Sequence, residues 1–342
     1  MKRSNLFAVI FTVSFVLLFS CKEIMDHPVN PDLPEVIPTP CEGISPSNLW
    51  LLKQISGWSK GAISILSNEE AGKLGIFVAM FSEEDSEKQY FGVKGEYTAQ
   101  LKKTFKNLQG FWDINSDNIL MVAAHGTMLQ DRDKVINVYQ AEYGYSLEKA
   151  NKYADSLATL FKTYPEYLNG NHPFFTFNAY AHQQKNYPVV GQVKDKIVFG
   201  DALLQPFDAL GYGDIAPQAI LAHEYAHHIQ YDLGIKDYSI PLTPAGNRRT
   251  ELMADAYAAY FLSHSRGAAM EWKSVQRVAE VFSNLGDCDF ESELHHGTPV
   301  QRKAATEWGY DLAKNAEKTD HIIGSREFAK LFDAELNNIV KK

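Results

Sequence analysis

Apolar residues in GEYTAQLKKTFKNLQGFW (95–112) and SLEKANKYADSLATLFKTY (146–164) recur three and four positions apart, the spacing of an amphipathic helix. Gly and Pro punctuate the stretches between them, so residues 47 to about 168 predict mostly as helix. The texture changes near 171. HPFFTFNAYAH (172–182) is rich in aromatics and Thr and reads as a strand, and KDKIVFGD (194–201) reads as a second, shorter one. From 202 onward the helical pattern returns, over about 202–210, 215–233, 248–265, 269–284, 299–316 and 325–340. The helix at 215–233 has clear end signals: Asp214 can cap it, Pro217 falls in its first turn, and Gly234 sits just past its end. The expected fold class is α+β, a mostly helical body with a small mixed sheet.

Composition adds little to this until the chain's first residues are considered. The 342 residues are 45% hydrophobic and 12% aromatic, enough for one large domain or two modest ones. The net charge is -9 and no long basic run appears, which excludes nucleic acid as a partner. Lys2 and Arg3 precede an apolar run from Leu6 to Phe19, then Ser20 and Cys21, the order of a secretory signal. That run is too short for a comfortable membrane span of about 20 residues. LFSC resembles the lipobox of bacterial lipoproteins, which implies cleavage before Cys21 and lipid on that cysteine; the alternative is a plain secretory signal. Lys22 and Glu23 resemble export signals of surface lipoproteins. The expected location is the outer membrane or cell surface of a Gram-negative bacterium, held through a lipid anchor. Residues 1–20 are then signal peptide. Residues 21–46 form a Pro-rich tether, since six of the fourteen prolines lie between Pro28 and Pro46. Cys41 and Cys288 remain, and they either pair, pinning the tether to the body, or stay as two thiols.

Chemistry concentrates in AILAHEYAHHIQYDLG (219–234) and RRTELMADAYAAYFL (248–262). On a helix, residues four apart share a face, so His223 and His227 present two imidazoles to one point, with Glu224 beside them. This is H-E-x-x-H, which suits a zinc ion and a general base. A catalytic zinc needs a third protein ligand. Glu251 and Asp255, four apart on an otherwise apolar helix, offer one. Such acids are expensive to bury unless they meet a cation or donors. Glu251 can ligate the metal, and Asp255 can accept a hydrogen bond from a ligand histidine and fix its tautomer. His228 projects away from the metal and supports the site. His125, in VAAHG, reads as a packed or capping histidine, and DCDFES (287–292) as a turn, lacking the glycine and spacing of a calcium loop.

HEYAH followed by ELMAD resembles the gluzincins. The run HEYAHHIQ, ELMADAYAAYF and HHGTPVQR is similar to the bacterial neutral zinc metallopeptidases over roughly residues 171 to 305. Ala256 stands where that group often has a cysteine. The resemblance implies a metallopeptidase fold for a catalytic region at 171–342, following a helical N-terminal region at 47–170. FNAYAHQ and KIVFGD resemble the thermolysin-like arrangement of an antiparallel edge strand beside the H-E-x-x-H helix. By that resemblance Asn178 and Ala179 line the cleft and contact an extended peptide. It also brings His296 and Arg302 near the active site, one of them to orient the metal shell or stabilise an oxyanion; the alternative for His295 and His296, just before a helix start at Thr298 and Pro299, is capping and core packing.

The expected activity is hydrolysis of peptide bonds, with Zn2+ on His223, His227 and Glu251, and Glu224 as general base. His296 or Tyr257 would be the further oxyanion donor. Two rivals stand beside it. One is a surface lipoprotein that grips peptide without cutting. The other is a structural zinc protein, with His228 or His296 closing the site. Oligomeric state is left open.

Overall fold

The computed structural model describes residues 33–41, 44–67, 70–318 and 321–342. The segment expected to be a signal peptide, Cys21 and the first part of the Pro-rich stretch lie outside the described residues.

In the N-terminal half the helices are α1 (Pro46–Ile55), α2 (Lys60–Ile63), α3 (Leu74–Ser82), α4 (Thr98–Phe111), α5 (Arg132–Ala141) and α6 (Leu147–Thr163). The helical reading needs one addition here, the strand β1 (Leu120–Ala124). Its sequence LMVAA is apolar throughout, and a short continuous apolar run has no period that separates strand from helix. The strand expected over 172–182 is shorter than its composition suggests. Pro173 opens a 3-10 turn through Phe175, with the Phe174 N–H donating to His172 Nδ1, so only β2 (Ala179–His182) is extended. A hairpin of β3 (Lys185–Tyr187) and β4 (Gly191–Val193) leads to β5 (Lys196–Gly200).

The main sheet runs β1-β5-β2, with β1 parallel and β2 antiparallel to β5. The chain is therefore mostly helical with a small mixed sheet, and β2 is its antiparallel edge. Because β1 precedes residue 170 and β5 follows it, the sheet joins the two regions separated in the sequence reading.

The second half is helical: α7 (Gln205–Ala209), α8 (Ala216–Asp232), α9 (Pro244–Ser263), α10 (Trp272–Ser283), α11 (Pro299–Glu317) and α12 (Ser325–Ile339). The helix expected over 202–210 is only the short α7. α9 begins four residues earlier than its periodicity suggests, because Thr243 Oγ1 accepts the Gly246 N–H and Pro244 fits the first turn. α8 starts and stops as expected, with Gly234 past its end at φ 68°, but Asp214 does not cap it. The Asp214 carboxylate is taken by the Arg277 guanidinium at 2.6 and 2.8 Å.

α8 and α9 form the centre. α8 packs on α9, α4, α10 and the strands β2 and β5; α9 packs on α8, α10, α11 and α12. Every residue from Ala219 to Gln230, and from Asn247 to Ser263, is buried. A helix enclosed on all sides has no solvated face on which to leave a carboxylate. Behind α9, Trp112 meets Tyr257 edge-on at 5.0 Å and Phe328 stacks on Tyr257 at 4.2 Å. Such pairs contribute about 0.5–1.5 kcal/mol each beyond area burial. α11 closes tightly on α9 at Gly309, where a Cβ would lie 2.4 Å from the Ala256 carbonyl oxygen.

The described end of the tether is docked. Leu33 packs against the core, Arg248 Nη2 donates to the Pro34 carbonyl at 2.6 Å, and Cys41 is disulfide-bonded to Cys288. Of the two readings of these cysteines, the paired one holds. The bond closes a sequence separation of 247 residues. Replacing both cysteines by serine is expected to lower the unfolding free energy by about 2–4 kcal/mol. Urea denaturation of the oxidised wild type beside the double variant measures it.

Candidate metal centre

His223 and His227 stand one turn apart on α8, and Glu251 faces them from α9. His223 Nε2 lies 3.2 Å from Glu251 Oε2, and His227 Nε2 lies 3.4 Å from Glu251 Oε1. The three donor atoms are within 4.8 Å of one another, and all three residues are buried. Donors about 2.0–2.2 Å from a four-coordinate ion sit roughly 3.3–3.6 Å apart. The two His–Glu spacings, each to its own Glu251 oxygen, are of that order, so the three residues are placed to hold a metal ion.

Both imidazoles are turned by their other nitrogen. Asp255 Oδ1 accepts from His223 Nδ1 at 2.9 Å, as the sequence reading expected. Gln230 Oε1 accepts from His227 Nδ1 at 2.9 Å. The Gln230 amide cannot be reversed, because its Nε2 donates to the Thr250 carbonyl at 2.7 Å. Gln230 thereby fixes the His227 ring with its proton on Nδ1, while His223 donates from Nδ1 to Asp255 and turns Nε2, protonated until a metal takes that position, toward Glu251. Asp255 is held in turn by Arg302, whose Nε and Nη2 reach its two oxygens at 2.7 Å each. The sequence reading missed Gln230 and the pairing of Arg302 with Asp255. A glutamine one turn beyond His227, on a helix with no polar face, was the available signal for the first.

Charge on the centre follows from these contacts. Burial works against the Glu251 carboxylate, yet His227, Lys236 and the hydrogen bond with His223 hold it well below the usual range. Lys236 Nζ is 3.4 Å from Glu251 Oε1. Burial also opposes charge on His223, but its bonds to Asp255 and Glu251 push it up to about 9. Burial, helped by Lys236, keeps His227 well below its ordinary value. Glu224 is 9% exposed and makes no hydrogen bond among the described residues, and burial raises its carboxyl.

No family model matches the chain, and neither a curated protein nor a solved structure matches it.

The remaining residues separate by what they touch. Among the described residues no fourth His, Cys, Asp or Glu joins the three donors. His228 turns away as expected, its Nε2 bonded to the Lys196 carbonyl at 3.1 Å. His296 is half-exposed, and its backbone N–H and Nδ1 are both spent on Asp287 Oδ2 at 2.7 and 3.0 Å. His295 Nδ1 bonds the other Asp287 oxygen, so the 287–292 segment is a turn organised around Asp287. Tyr257 is no donor to the centre, because its hydroxyl donates to the Ser325 carbonyl inside the aromatic cluster. His125 is a packed histidine, bonded to Asp201 at 2.9 Å and stacked on Tyr90.

Asn178 and Ala179 divide in the same way. The Asn178 carbonyl accepts the Gly200 N–H at 2.9 Å, so Asn178 turns its backbone into the sheet. Antiparallel pairing alternates, which leaves Ala179 and Ala181 with backbone groups on the open edge. The Ala181 carbonyl is covered by the Tyr231 hydroxyl at 2.9 Å. Ala179 therefore offers both its groups at the edge and Asn178 offers only its exposed side chain.

Two outcomes are expected of metal titration. A metal must displace the proton on His223. Since the folded imidazole titrates at about 9, binding at pH 7 should release close to one proton, with affinity rising about tenfold per pH unit up to about 9 and levelling above it. Calorimetry in two buffers of different ionisation enthalpy reads the proton count. Gln230→Ala should weaken metal binding about 10–100-fold by freeing the His227 ring, measured by competition with a chromophoric chelator.

Proposed function

We propose that the chain is a zinc-dependent metallopeptidase of the gluzincin type, acting on peptide or protein substrates. The observation that carries this is a buried His-His-Glu donor set with no fourth protein ligand among the described residues and an unbonded carboxyl, Glu224, next to it. A structural site would be closed by a fourth side chain; a three-donor site leaves a position for water or substrate.

His223, His227 and Glu251 would hold the ion. Bound there, zinc supplies polarisation of a water and of the scissile carbonyl. The chain's own residues do the rest. Glu224, raised by burial, takes a proton from the water and hands it to the leaving amine. Asp255 and Gln230 keep both imidazoles from rotating. Ala179 offers its backbone N–H and carbonyl to an extended peptide along the edge of β2. Tyr257 being committed elsewhere, His296 is the donor left for the developing oxyanion. Its Nε2 has no partner among the described residues. Lipid on Cys21 would hold the enzyme at the membrane, as the LFSC segment implies.

Glu224→Gln tests this reading. It removes the base with little change in volume, so turnover of a quenched peptide library should fall about 10²–10⁴-fold while bound metal, measured by elemental analysis, stays stoichiometric. Full activity in that variant would end the assignment. Peptide binding without cleavage in the wild type would favour the surface-binding rival.

A further inference from the structure

Three arginines are buried around α9. Arg302 meets Asp255 through two bonds, and Arg249 meets Asp333 through two bonds at 2.7 and 2.8 Å. Arg248 is as buried, at 2% exposed, and has no carboxylate among the described residues. Its Nη2 reaches only the carbonyls of Pro34 at 2.6 Å and Glu35 at 3.4 Å. Its Nε is buried with no partner among the described residues. Burying an unpaired guanidinium costs far more than burying a paired one. Accordingly, burial pulls Arg248 below its ordinary value with nothing opposing, whereas Asp255 outweighs burial at Arg302.

Its position gives this meaning. Arg248 is three residues before Glu251, on the same side of α9 one turn away. Its stem packs against the turn after His296, where a Cβ on Gly297 would be 3.5 Å from Arg248 Cγ. Lys236 sits on Glu251 from another side. On this rim the Asp287 carboxylate is already used by His295 and His296. The strap over Arg248 is held lightly. Beyond Glu35 it makes no hydrogen bond among the described residues before the Cys41–Cys288 disulfide, and residues 37–40 are exposed. A small cavity of about 50 Å³ opens on the other side of the strap, lined by Leu33, Lys236, Asp237 and Thr250 but not by Arg248.

We propose that Arg248 is a carboxylate-binding subsite at the rim of the metal centre, closed in the resting chain by the carbonyls of Pro34 and Glu35. The ligand is the carboxylate of a peptide, from its C-terminus or from an Asp or Glu side chain. Such a group would complete the bidentate fork that Arg249 and Arg302 already have. The strap yields two carbonyl contacts and stays attached at Cys41. This proposal rests on the peptidase reading for the kind of ligand, but not on cleavage.

The test is binding to the full metal-loaded chain carrying Glu224→Gln, followed by fluorescence anisotropy. The probe is one short labelled alanine-based peptide made with a free or amidated C-terminus, and with Glu or Gln inside. At least one carboxylate version should bind about tenfold or more tighter than the neutral one, and which one names the source. Arg248→Gln should erase that advantage, and Arg248→Lys, which keeps charge but loses the fork, should keep only part. Changing Cys41 and Cys288 to serine frees the strap and should tighten carboxylate binding severalfold. Equal binding of all versions, or an advantage that survives Arg248→Gln, overturns the subsite. Unchanged affinity in the cysteine variant overturns its closure by the strap. Should Arg248→Gln fail to fold, the wild-type comparison and the lysine variant still decide. A carboxylate advantage without cleavage in the native chain sinks the peptidase and leaves the subsite; cleavage without the advantage does the reverse.

Discussion

One buried carboxylate fixes three helices relative to one another. Asp255, fully buried on α9, accepts from His223 on α8 and from Arg302 on α11. Taking a carboxylate out of water costs several kcal/mol unless its lone pairs are used. Here one side of it meets a fork and the other an imidazole, so the cost is offset only when all three helices are in place. That requirement sets the depth and rotation of α8 against α9, and so the distance from His223 and His227 to Glu251. The aromatic packing of Trp112, Tyr257 and Phe328 stabilises α9 from behind, but it is tolerant of small shifts. The hydrogen-bond geometry at Asp255 is not.

Much of this centre was legible because helical spacing is itself geometry. His223, His227, Glu251 and Asp255 each follow from four-residue intervals on helices whose ends are marked, and the structure brings them together. What was not legible depended on partners distant in the chain. Asp214 looked like a cap until Arg277 took its carboxylate. β1 had no alternation to betray it, being buried on both faces. Asn178 and Ala179 are neighbours in sequence, yet strand register alone decides that one faces the sheet and the other the edge. Gln230 acquires its role only because the Thr250 carbonyl fixes which end of its amide points at His227.

Charge around the donors is mixed. Lys236 and Arg248 lie on the Glu251 side, while Glu224, Glu251 and Asp255 are buried with the histidines and Arg302 is spent on Asp255. Metal retention therefore rests on the Glu251 carboxylate together with the fixed geometry of both imidazoles. The Arg248 guanidinium, with no carboxylate among the described residues, is the group on this side that favours an anionic peptide group.

The docked strap also bears on orientation. Its contacts lie at Leu33, Arg248 and Cys288, on the face that carries the rim cations. If Cys21 bears the lipid proposed from its sequence context, the chain from there to Leu33 can extend at most about 40 Å. The strap then joins the body at α9, beside Arg248, and is made permanent only at the Cys41–Cys288 bond. Lipid on Cys21 would leave the body within that reach of a bilayer, with the disulfide and not the guanidinium as the fixed point.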